Sequence, residues 1–460
     1  MQDVVSVAGT RAEFRRVFGG VMVAMFLASI DQTILATALP AIGSALDGSA
    51  HLSWVVIAYL IATTVTAPLY GHLGDRFGRR RMLLAALALF TFASMLCAAA
   101  PTLVALVGTR ALQGMGAGGL MALSQALIGE HIPPRERPRY QGYFASVFAI
   151  SSTIGPVLGG YLTEHLSWRA VFAINLPIGA LAAYLALRLP PSAPSATARF
   201  RPDVPGALLF AVAASALLLA LTSAAERHSW TSWSMFALLG AAVAGTAALL
   251  WWERRASDPV IPLHLLAMPA ILRSNAMVFC FAATLFGALL YLPLFLQRGR
   301  GFGIGESGLL LLPITLSIAV ASTTTGALIT ATRRLTLFPV IGLALCSTAF
   351  AVLSATVGDA PTSLVLALTI AAALGLGCVM PVSQIIVQDS AGREALGSAT
   401  ASLSVSRSIG GAFGAGLAGT LLFGLIGHGL EQAFAAVFGA LALLAAAGCA
   451  LALSIPRRRL

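Results

Sequence analysis

Two charged residues lie inside otherwise apolar stretches of the sequence, where charge is energetically costly. Asp31 lies in "SIDQTILATALP", and Arg110 opens "RALQGMGAGG", which also contains Gln113. Ionisable residues inside membrane spans almost always face a partner or a water-filled cavity. Burial favours the protonated form of a carboxylate, whereas a neighbouring guanidinium favours its ionised form. An acid and an arginine that meet and then separate can therefore load and release a proton.

Asp31 and Arg110 are predicted to lie at the same depth. The apolar run around Asp31 ends near Leu39 and the run around Arg110 starts near Thr102, so each residue lies eight positions from the outer end. At 1.5 Å per residue, both side chains are about 12 Å deep. We therefore predict that they meet. Their contact either moves protons or is static, with Asp31 only holding Arg110 in place.

The composition predicts the solvent of this chain. Hydrophobic residues make up 58% of the 460 residues and charged residues only 10%, whereas soluble proteins carry about 25% charged residues. The formal net charge of +11 comes from arginines in short clusters between apolar runs. Nucleic-acid binding requires a basic face on a soluble domain, and no segment is long and polar enough to form one. The sequence predicts an integral membrane protein that contacts lipid and has no nucleic-acid partner.

The apolar runs also predict the number and orientation of the helices. A bilayer core of about 30 Å requires roughly 20 apolar residues per helix. Fourteen such runs are centred near residues 28, 62, 91, 115, 152, 180, 214, 242, 285, 317, 346, 373, 410 and 443. Loops on one side hold 22 of the 28 basic residues, all of them arginine, and loops on the other side hold four. Because cytoplasmic loops carry the arginine excess, we predict an all-α polytopic membrane protein with 14 transmembrane helices and both termini in the cytoplasm.

Two loops at equivalent places indicate an internal duplication. "GHLGDRFGRRR", between the second and third runs, aligns with "GALITATRRLT", between the tenth and eleventh. Equivalent loops of two six-helix halves are where such a match should fall. The predicted divisions are a cytoplasmic N-terminus (1–16), an N-terminal half (17–189), a linker (190–203), two inserted helices (204–252), a second linker (253–272), a C-terminal half (273–455) and a basic tail (456–460).

The first of these loops places an acid among four arginines at a helix boundary. Glycines there permit a tight turn and close helix approach. The acid can cap or salt-bridge a neighbouring helix end in one state and release it in another. The alternative is a basic loop that only anchors the chain on the cytoplasmic side. The candidate residues are Gly71, Asp75, Arg76, Gly78, Arg79 and Arg80.

The fifth run contains "SSTIGPVLGGYL", with four residues that weaken a helix, Gly155, Pro156, Gly159 and Gly160. In lipid such residues allow backbones to approach closely and allow a helix to kink. Plain small-residue packing and a specific hinge fit this pattern equally well.

Together these strings resemble a known family. "GHLGDRFGRRR" is similar to the loop signature of the major facilitator superfamily, G-x-L-x-D-R-x-G-R-[KR]-x, and "SSTIGPVLGGYL" to the G-P-x-x-G-G motif of its exporters. "RALQG" resembles the exporters' R-x-x-Q-G motif, and "DQTILATALPAI" resembles the first-span motif of the fourteen-helix drug:proton antiporters. The resemblance covers nearly the whole chain.

This resemblance implies a fold and roles for residues. The fold is two six-helix halves plus two inserted helices. Asp75 and Arg79 would form a cytoplasmic gate lock supported by Arg76 and Arg80, and Arg110 with Gln113 would take part in proton transfer. By the same resemblance, the residues of the G-P-x-x-G-G match, Gly155, Pro156, Gly159 and Gly160, would shape a hinge and seal the interface between the halves.

The implied function is a proton-coupled antiporter of the bacterial inner membrane. It would export lipophilic, cationic drugs or toxic compounds by alternating access, with the proton gradient as energy source and Asp31 as the proton carrier. A lipid, siderophore or metabolite exporter on the same scaffold is the alternative. A periplasmic adaptor is possible but is not readable from the sequence.

The expected substrate cavity is apolar and aromatic with few charges. Its candidate residues are Trp54, Tyr59, Phe281, Tyr291, Glu306 and Arg407. Arg407 either caps helix carbonyls or meets an anionic group of a substrate or lipid. Glu306 either attracts a cation or is a solvated residue at a helix N-terminus.

Other kinds of chemistry find little support in the sequence. All seven histidines lie at loops or helix ends, so no constellation of an intramembrane enzyme is recognisable. The five cysteines lie inside predicted spans without metal-ligand spacing. No nucleotide-binding motif is recognisable either. We therefore expect no enzyme activity, no metal and no cofactor.

Overall fold

Long helices make up most of the part of the chain that the computed structural model describes, residues 3–46, 52–132, 137–189, 203–227, 232–256, 259, 263–303, 306, 309–392 and 395–455. The N-terminal helices are α1 (Asp3–Ala45), α2 (Ser53–Phe77), α3 (Arg79–Ala99), α4 (Leu103–His131), α5 (Arg137–His165), α6 (Ala170–Ala173) and α7 (Asn175–Leu187). Turn-forming residues separate them, as at Gly78, whose φ of 92° lies in the region that favours glycine.

The remaining helices follow the same pattern. They are α8 (Val204–Arg227), α9 (Trp233–Glu253), α10 (Leu263–Leu266), α11 (Pro269–Leu294), α12 (Leu312–Thr332), α13 (Leu337–Thr356), α14 (Thr362–Gly377), α15 (Val379–Ala391), α16 (Leu396–Leu425) and α17 (Leu430–Ser454). A π-helical turn, Phe295–Gly299, extends α11, and a 3₁₀ turn, Ile426–His428, follows α16.

Each of the fourteen predicted runs falls on a helix within the described residues, with α6 and α7 sharing one run and α14 and α15 another. In that part of the chain, 13 helices are long and apolar enough to cross a membrane. The α4 helix is not among them: its 29 residues are long enough to cross a membrane, but no stretch of them is as apolar as the spans of the other helices. It carries Arg110 and Gln113. Fourteen spans fit this arrangement, and the cytoplasmic location of both termini stays a prediction.

The helices pack into two groups, each with its own apolar core. In the first, α1, α3, α4, α5 and α7 bury residues such as Leu27, Phe90 and Leu120. In the second, α11 to α17 bury residues such as Met277, Leu353 and Phe434, which are at most a few per cent exposed. These groups correspond to the two predicted halves.

The groups meet mainly through two helix pairs, with further contacts of α4 with α16 and of α5 with α15. The α2 helix packs against α16, and α5 packs against α12. In each pair, the second helix of one half contacts the fifth helix of the other, as a duplication with two-fold pseudosymmetry requires. The inserted helices α8 and α9 pack on each other, and α8 also contacts α2 and α16.

The predicted divisions themselves stay predictions. The α1 helix already begins at Asp3, inside the predicted N-terminal segment, and α10 lies in the second predicted linker. Most of the first linker (190–202) and the basic tail (456–460) lie outside the described residues.

Candidate functional site

A buried ion pair joins α1 to α4. The Asp31 Oδ2 atom accepts a hydrogen bond of 2.7 Å from Arg110 Nη1, and both side chains are 1% exposed. The structure thus brings together the two charges that the sequence places at one depth. Their role in proton transfer stays a prediction.

Two carboxamides complete the shell around the carboxylate. Gln113 Nε2 and Asn175 Nδ2 each donate to Asp31 Oδ1 at 2.8 Å. Both amide nitrogens also donate to Ser94 Oγ on α3, at 2.6 and 3.1 Å. Gln113 Oε1 accepts from Arg110 Nη1 at 2.6 Å. These five polar side chains form one buried network that links four helices.

The guanidinium has further partners besides the network. Its Nε donates to the Val55 carbonyl of α2 at 3.3 Å, and its Cζ lies 4.1 Å from the centroid of the Tyr59 ring. The Phe172 ring lies 5.8 Å away on another side. Aromatic faces stabilise a cation, most strongly where water is excluded. Arg110 is therefore held by charge, amide, carbonyl and aromatic contacts.

Local helix geometry places these groups. Arg110 and Gln113 are three residues apart on α4 and so share one face. Asn175 is the first residue of α7, directly after the short helix α6, and Pro177 follows it within the first turn. This break in the sixth predicted run positions the Asn175 side chain beside Asp31.

The chemistry open to this site is protonation of a carboxylate. Every hydrogen bond that Asp31 makes in the described residues is accepted, from Arg110, Gln113 and Asn175. A carboxylate accepts only, whereas a protonated carboxyl also needs an acceptor. The observed arrangement therefore matches the ionised form. Its near-complete burial closes it to water in this conformation.

A second polar cluster joins the halves at the arginine-rich side. Asp75, near the end of α2, accepts hydrogen bonds from the backbone N–H groups of Gly397 and Ser398 at 3.0 to 3.2 Å. These groups belong to the first turn of α16, where helix N–H groups lack intrahelical partners and attract anions. Asp75 also pairs with Arg79 at 2.5 Å. Arg79 in turn contacts Glu130 of α4 at 2.9 Å.

Close backbone approach makes this contact possible. A Cβ atom on Gly71 would lie 2.6 Å from the Gly397 carbonyl oxygen, so only glycine fits between α2 and α16. Gly78 forms the turn to α3, and Arg80 donates to the Leu187 carbonyl at 2.5 Å. Arg76 lies in the last turn of α2. The six predicted gate residues thus surround one junction, and their gating role stays a prediction.

The glycines of α5 face α1 within the same half. A Cβ atom on Gly155 would lie 2.1 Å from Thr33 Oγ1, and one on Gly159 would lie 2.2 Å from the Ile34 carbonyl oxygen. Gly160 has open space around it, and Pro156 lies inside the helix. The contacts seen here are close packing of α5 on α1. A hinge or a seal between the halves stays a prediction for these residues.

The other predicted cavity residues are scattered. Tyr59 packs against Arg110, and Phe281 and Tyr291 lie in the apolar core of the C-terminal half. Trp54 is 41% exposed. Glu306 is exposed and accepts from the backbone of Gly303. Arg407 is half-buried on α16, and its guanidinium makes no hydrogen bond or ion pair to any described residue.

A small cavity lies within the C-terminal half, between α11, α12, α13 and α14. Its wall is almost entirely apolar, with Leu285, Leu292, Ile314 and Phe350 among its members. The hydroxyl of Thr369, also in the wall, donates to a carbonyl of its own helix. None of the six cavity residues proposed from the sequence lines this space.

Several residues of these two clusters were not predicted from the sequence. Ser94 and Asn175 are uncharged, and Glu130 lies near the end of α4. Gly397 contributes only its backbone, which no sequence motif reveals. One signal was available: Asn175 is one of only two asparagines in the whole chain, and both lie in predicted spans.

Relatives of known sequence and structure agree with this architecture. The chain is 34% identical over 91% of its length to the uncharacterised MFS-type transporter Rv1877 of Mycobacterium tuberculosis, and spans 61% of that protein. It is 32% identical over 88% of its length to the multidrug transporter protein MdtP of Bacillus subtilis, and spans 74% of it. The multidrug resistance protein Stp of Mycobacterium tuberculosis is 34% identical over 66% of this chain and 57% of its own length.

Solved structures share the fold at low sequence identity. The human organic anion transporter MFSD10 aligns with a TM-score of 0.70 and 17% identity, covering 95% of this chain and 99% of its own. The proton:xylose symporter XylE aligns with a TM-score of 0.69 and 15% identity over 98% and 97% of the two chains. The sequence profile of the family to which these transporters belong matches residues 21–415 of this chain. This chain is a multi-pass membrane protein that belongs to the Major Facilitator Superfamily.

Proposed function

We propose that this protein is a proton-coupled antiporter that exports lipophilic cations by alternating access. The observation that carries the proposal is the ion pair of Asp31 and Arg110, buried between α1 and α4 and enclosed by amides. A protein that transports nothing has no evident need of a buried acid and an arginine at matched depth, because charges inside a membrane span are costly.

The proposed mechanism uses the ion pair as a switch. When the site opens to the outside, a proton neutralises Asp31 and weakens its attraction to Arg110. When it opens to the cytoplasm, the proton leaves, and the reformed pair again favours the closed network. A coupled transporter requires such a difference between two states, since a ligand shifts an equilibrium only through its differential affinity.

The substrate class is proposed from the apolar cavity. A cavity walled by leucine, isoleucine and phenylalanine suits a lipophilic group. The names of relatives such as the multidrug transporter MdtP support an export function. We further propose that the energy source is the proton gradient, that no cofactor takes part, and that the protein works in a bacterial inner membrane.

The test is proton release from purified protein. Tetraphenylphosphonium, a lipophilic cation, is added to weakly buffered protein in detergent, and the pH change is recorded. We expect release from the wild type and from Glu164→Gln, which changes an exposed carboxylate at the end of α5. We expect none from Asp31→Asn. Equal release from Asp31→Asn would show that Asp31 is not the proton carrier.

Arg407 favours one alternative, export of an anionic lipid, siderophore or metabolite. Its guanidinium is half-buried and makes no hydrogen bond or ion pair within the described residues. Under this alternative, a fluorescent fatty acid binds the wild type and loses at least tenfold in affinity with Arg407→Gln. Under the main proposal, tetraphenylphosphonium binding is unchanged or stronger in that variant.

A further inference from the structure

The side chain of Asn175 uses only half of its hydrogen-bonding capacity. It is fully buried, and its Nδ2 donates to Asp31 Oδ1 and to Ser94 Oγ. Its Oδ1 is buried and has no hydrogen-bond partner among the described residues. A buried acceptor without a partner is uncommon and costly. This free acceptor lies on the same carboxamide that binds the carboxylate.

Gln113 provides an internal comparison. It donates to the same Asp31 oxygen at the same distance of 2.8 Å. Its own oxygen, however, accepts from Arg110 Nη1 at 2.6 Å and from Cys97 Sγ at 3.6 Å. The two amides are therefore equal as donors to the carboxylate but unequal as acceptors, since only Asn175 has a free one.

A protonated Asp31 would need such an acceptor. The titratable and charged groups that surround it are Arg110, Tyr59 and Cys97. A guanidinium has no acceptor atom. The Tyr59 hydroxyl is directed to the Ala28 carbonyl at 3.4 Å, and the Cys97 thiol to Gln113. None of these groups offers the carboxyl proton a free acceptor in place of Asn175.

We propose that Asn175 binds Asp31 in both protonation states, donating to the carboxylate through Nδ2 and accepting the carboxyl proton through Oδ1. The inference rests on the proposed function of Asp31. In the protonation step, a proton from water adds to Asp31 Oδ2, and the hydrogen bond from Arg110 Nη1 to that oxygen breaks. The new O–H group donates to Asn175 Oδ1, while Nδ2 still donates to Asp31 Oδ1. Loss of the proton reverses each change.

This exchange shifts the attachment of α1 from α4 towards α7. The ionised acid is tied to α4 through Arg110 and Gln113 and to α7 through Asn175, whereas the neutral acid keeps Gln113, loses Arg110 and is tied twice to α7. Arg110 keeps Gln113 and the Val55 carbonyl as partners. Asn175 is thus a positioning residue that keeps a neutral Asp31 in place while its ion pair with Arg110 of α4 is released.

The test is infrared difference spectroscopy of the purified full-length protein during a pH titration. The carboxyl C=O band of Asp31 is identified by its loss in Asp31→Asn. Asn175→Leu and Gln113→Leu each remove one donor to Asp31 Oδ1 and leave an apolar side chain of similar size. Asn175→Leu alone also removes the acceptor for the carboxyl proton.

Two readouts then separate the roles. In Asn175→Leu we expect a larger upward shift of the C=O band than in Gln113→Leu, because the carboxyl group loses two partners instead of one. We expect the pH of half-protonation to rise by about 1–2 units in Gln113→Leu, because a lost hydrogen bond destabilises the charged carboxylate more than the neutral carboxyl group. In Asn175→Leu it should rise less, because the neutral carboxyl group also loses the acceptor for its proton. The pair Asn175→Ala and Gln113→Ala repeats the comparison if a leucine variant does not fold.

The outcomes distinguish this inference from the proposed function. Equal band shifts and equal titration shifts in the two variants would reduce Asn175 to a donor and overturn the inference. If no titrating carboxyl band is lost in Asp31→Asn, the proton-carrier role of Asp31 fails and the inference fails with it.

Discussion

At the scale of single residues, the site shows how an arginine can be stable inside a membrane helix. The Arg110 guanidinium is opposed by a carboxylate, two oxygen acceptors and an aromatic face. Removing one member of a buried pair costs more than the pair contributes, because an uncompensated charge remains. Each partner of Arg110 is therefore expected to affect stability.

The Tyr59 ring gives the first prediction at this scale. In Tyr59→Leu, the guanidinium loses the ring that lies 4.1 Å from its Cζ. We expect a loss of stability of about 2 kcal/mol, the size of a desolvated cation–π contact. Tyr59→Phe keeps the ring and loses only the 3.4 Å contact of the hydroxyl with the Ala28 carbonyl, so it should stay close to the wild type. Thermal unfolding in detergent measures both, and equal losses would show that the ring face does not matter.

The residues of this site differ in how far the sequence predicts them. Asp31 and Arg110 are recognisable because charge in an apolar run is rare and because helix rise gives their depth. Ser94 and Asn175 are uncharged, and depth alone does not state which helix face meets which neighbour. Asn175 also depends on the break between α6 and α7, which apolar periodicity does not show. Packing across four helices decides these contacts.

At the scale of helices, small residues decide where two backbones can touch. The α5 helix approaches α1 at Gly155 and Gly159, and α2 approaches α16 at Gly71 and Gly397. In lipid, such close approach replaces the hydrophobic effect as a source of helix association. The glycine-rich strings therefore predict close packing well, but they do not identify the partner helix.

Neighbouring glycines of α5 give a matched pair for a prediction. A Cβ atom on Gly159 would lie 2.2 Å from the Ile34 carbonyl oxygen, whereas one on Gly160 would meet nothing within 4 Å. We expect Gly159→Ala to destabilise the protein by about 1–3 kcal/mol through overpacking. Gly160→Ala should be neutral or slightly stabilising, since alanine favours a helix by up to about 1 kcal/mol. Unfolding temperatures that fall equally in both variants would contradict this assignment of the two faces.

At the scale of the whole molecule, the two halves divide their chemistry. The N-terminal half contains the buried network around Asp31, and the C-terminal half contains the apolar cavity. The halves meet mainly through α2 with α16 and through α5 with α12. The duplication, predicted from two short loops, is visible in these pairs. The division of chemistry was not predictable, because the cavity arises from side chains of four helices that carry no motif.

Asp75 gives a prediction for this scale, because it holds the first turn of α16 against α2. In Asp75→Asn, the charge that binds these N–H groups is lost, and each such hydrogen bond is worth about 1.5–3 kcal/mol. We expect the population with the halves in contact at this junction to fall by about tenfold or more. Spin labels at exposed positions 81 and 334, one in each half, should report longer distances.

The control is Asp359→Asn, which changes an exposed carboxylate in the loop between α13 and α14. That loop is predicted to lie on the opposite side of the membrane. The distribution of distances between the two spin labels in Asp359→Asn should match that of the wild type. An unchanged distribution in Asp75→Asn would show that the glycine contacts alone hold the junction closed.

The polarity of α4 has a consequence for how the protein is made. This helix is long enough to cross the bilayer, yet among the long helices of the described residues it is too polar to count as an apolar span. An arginine at the centre of an inserting helix costs about 2.5–3.5 kcal/mol. By the time α4 leaves the ribosome, α1 has already been synthesised, so Asp31 is available to neutralise Arg110 as the helix enters lipid. The pair proposed to couple transport to protons would thus also serve earlier, during membrane insertion, by giving α4 a partner to enter against.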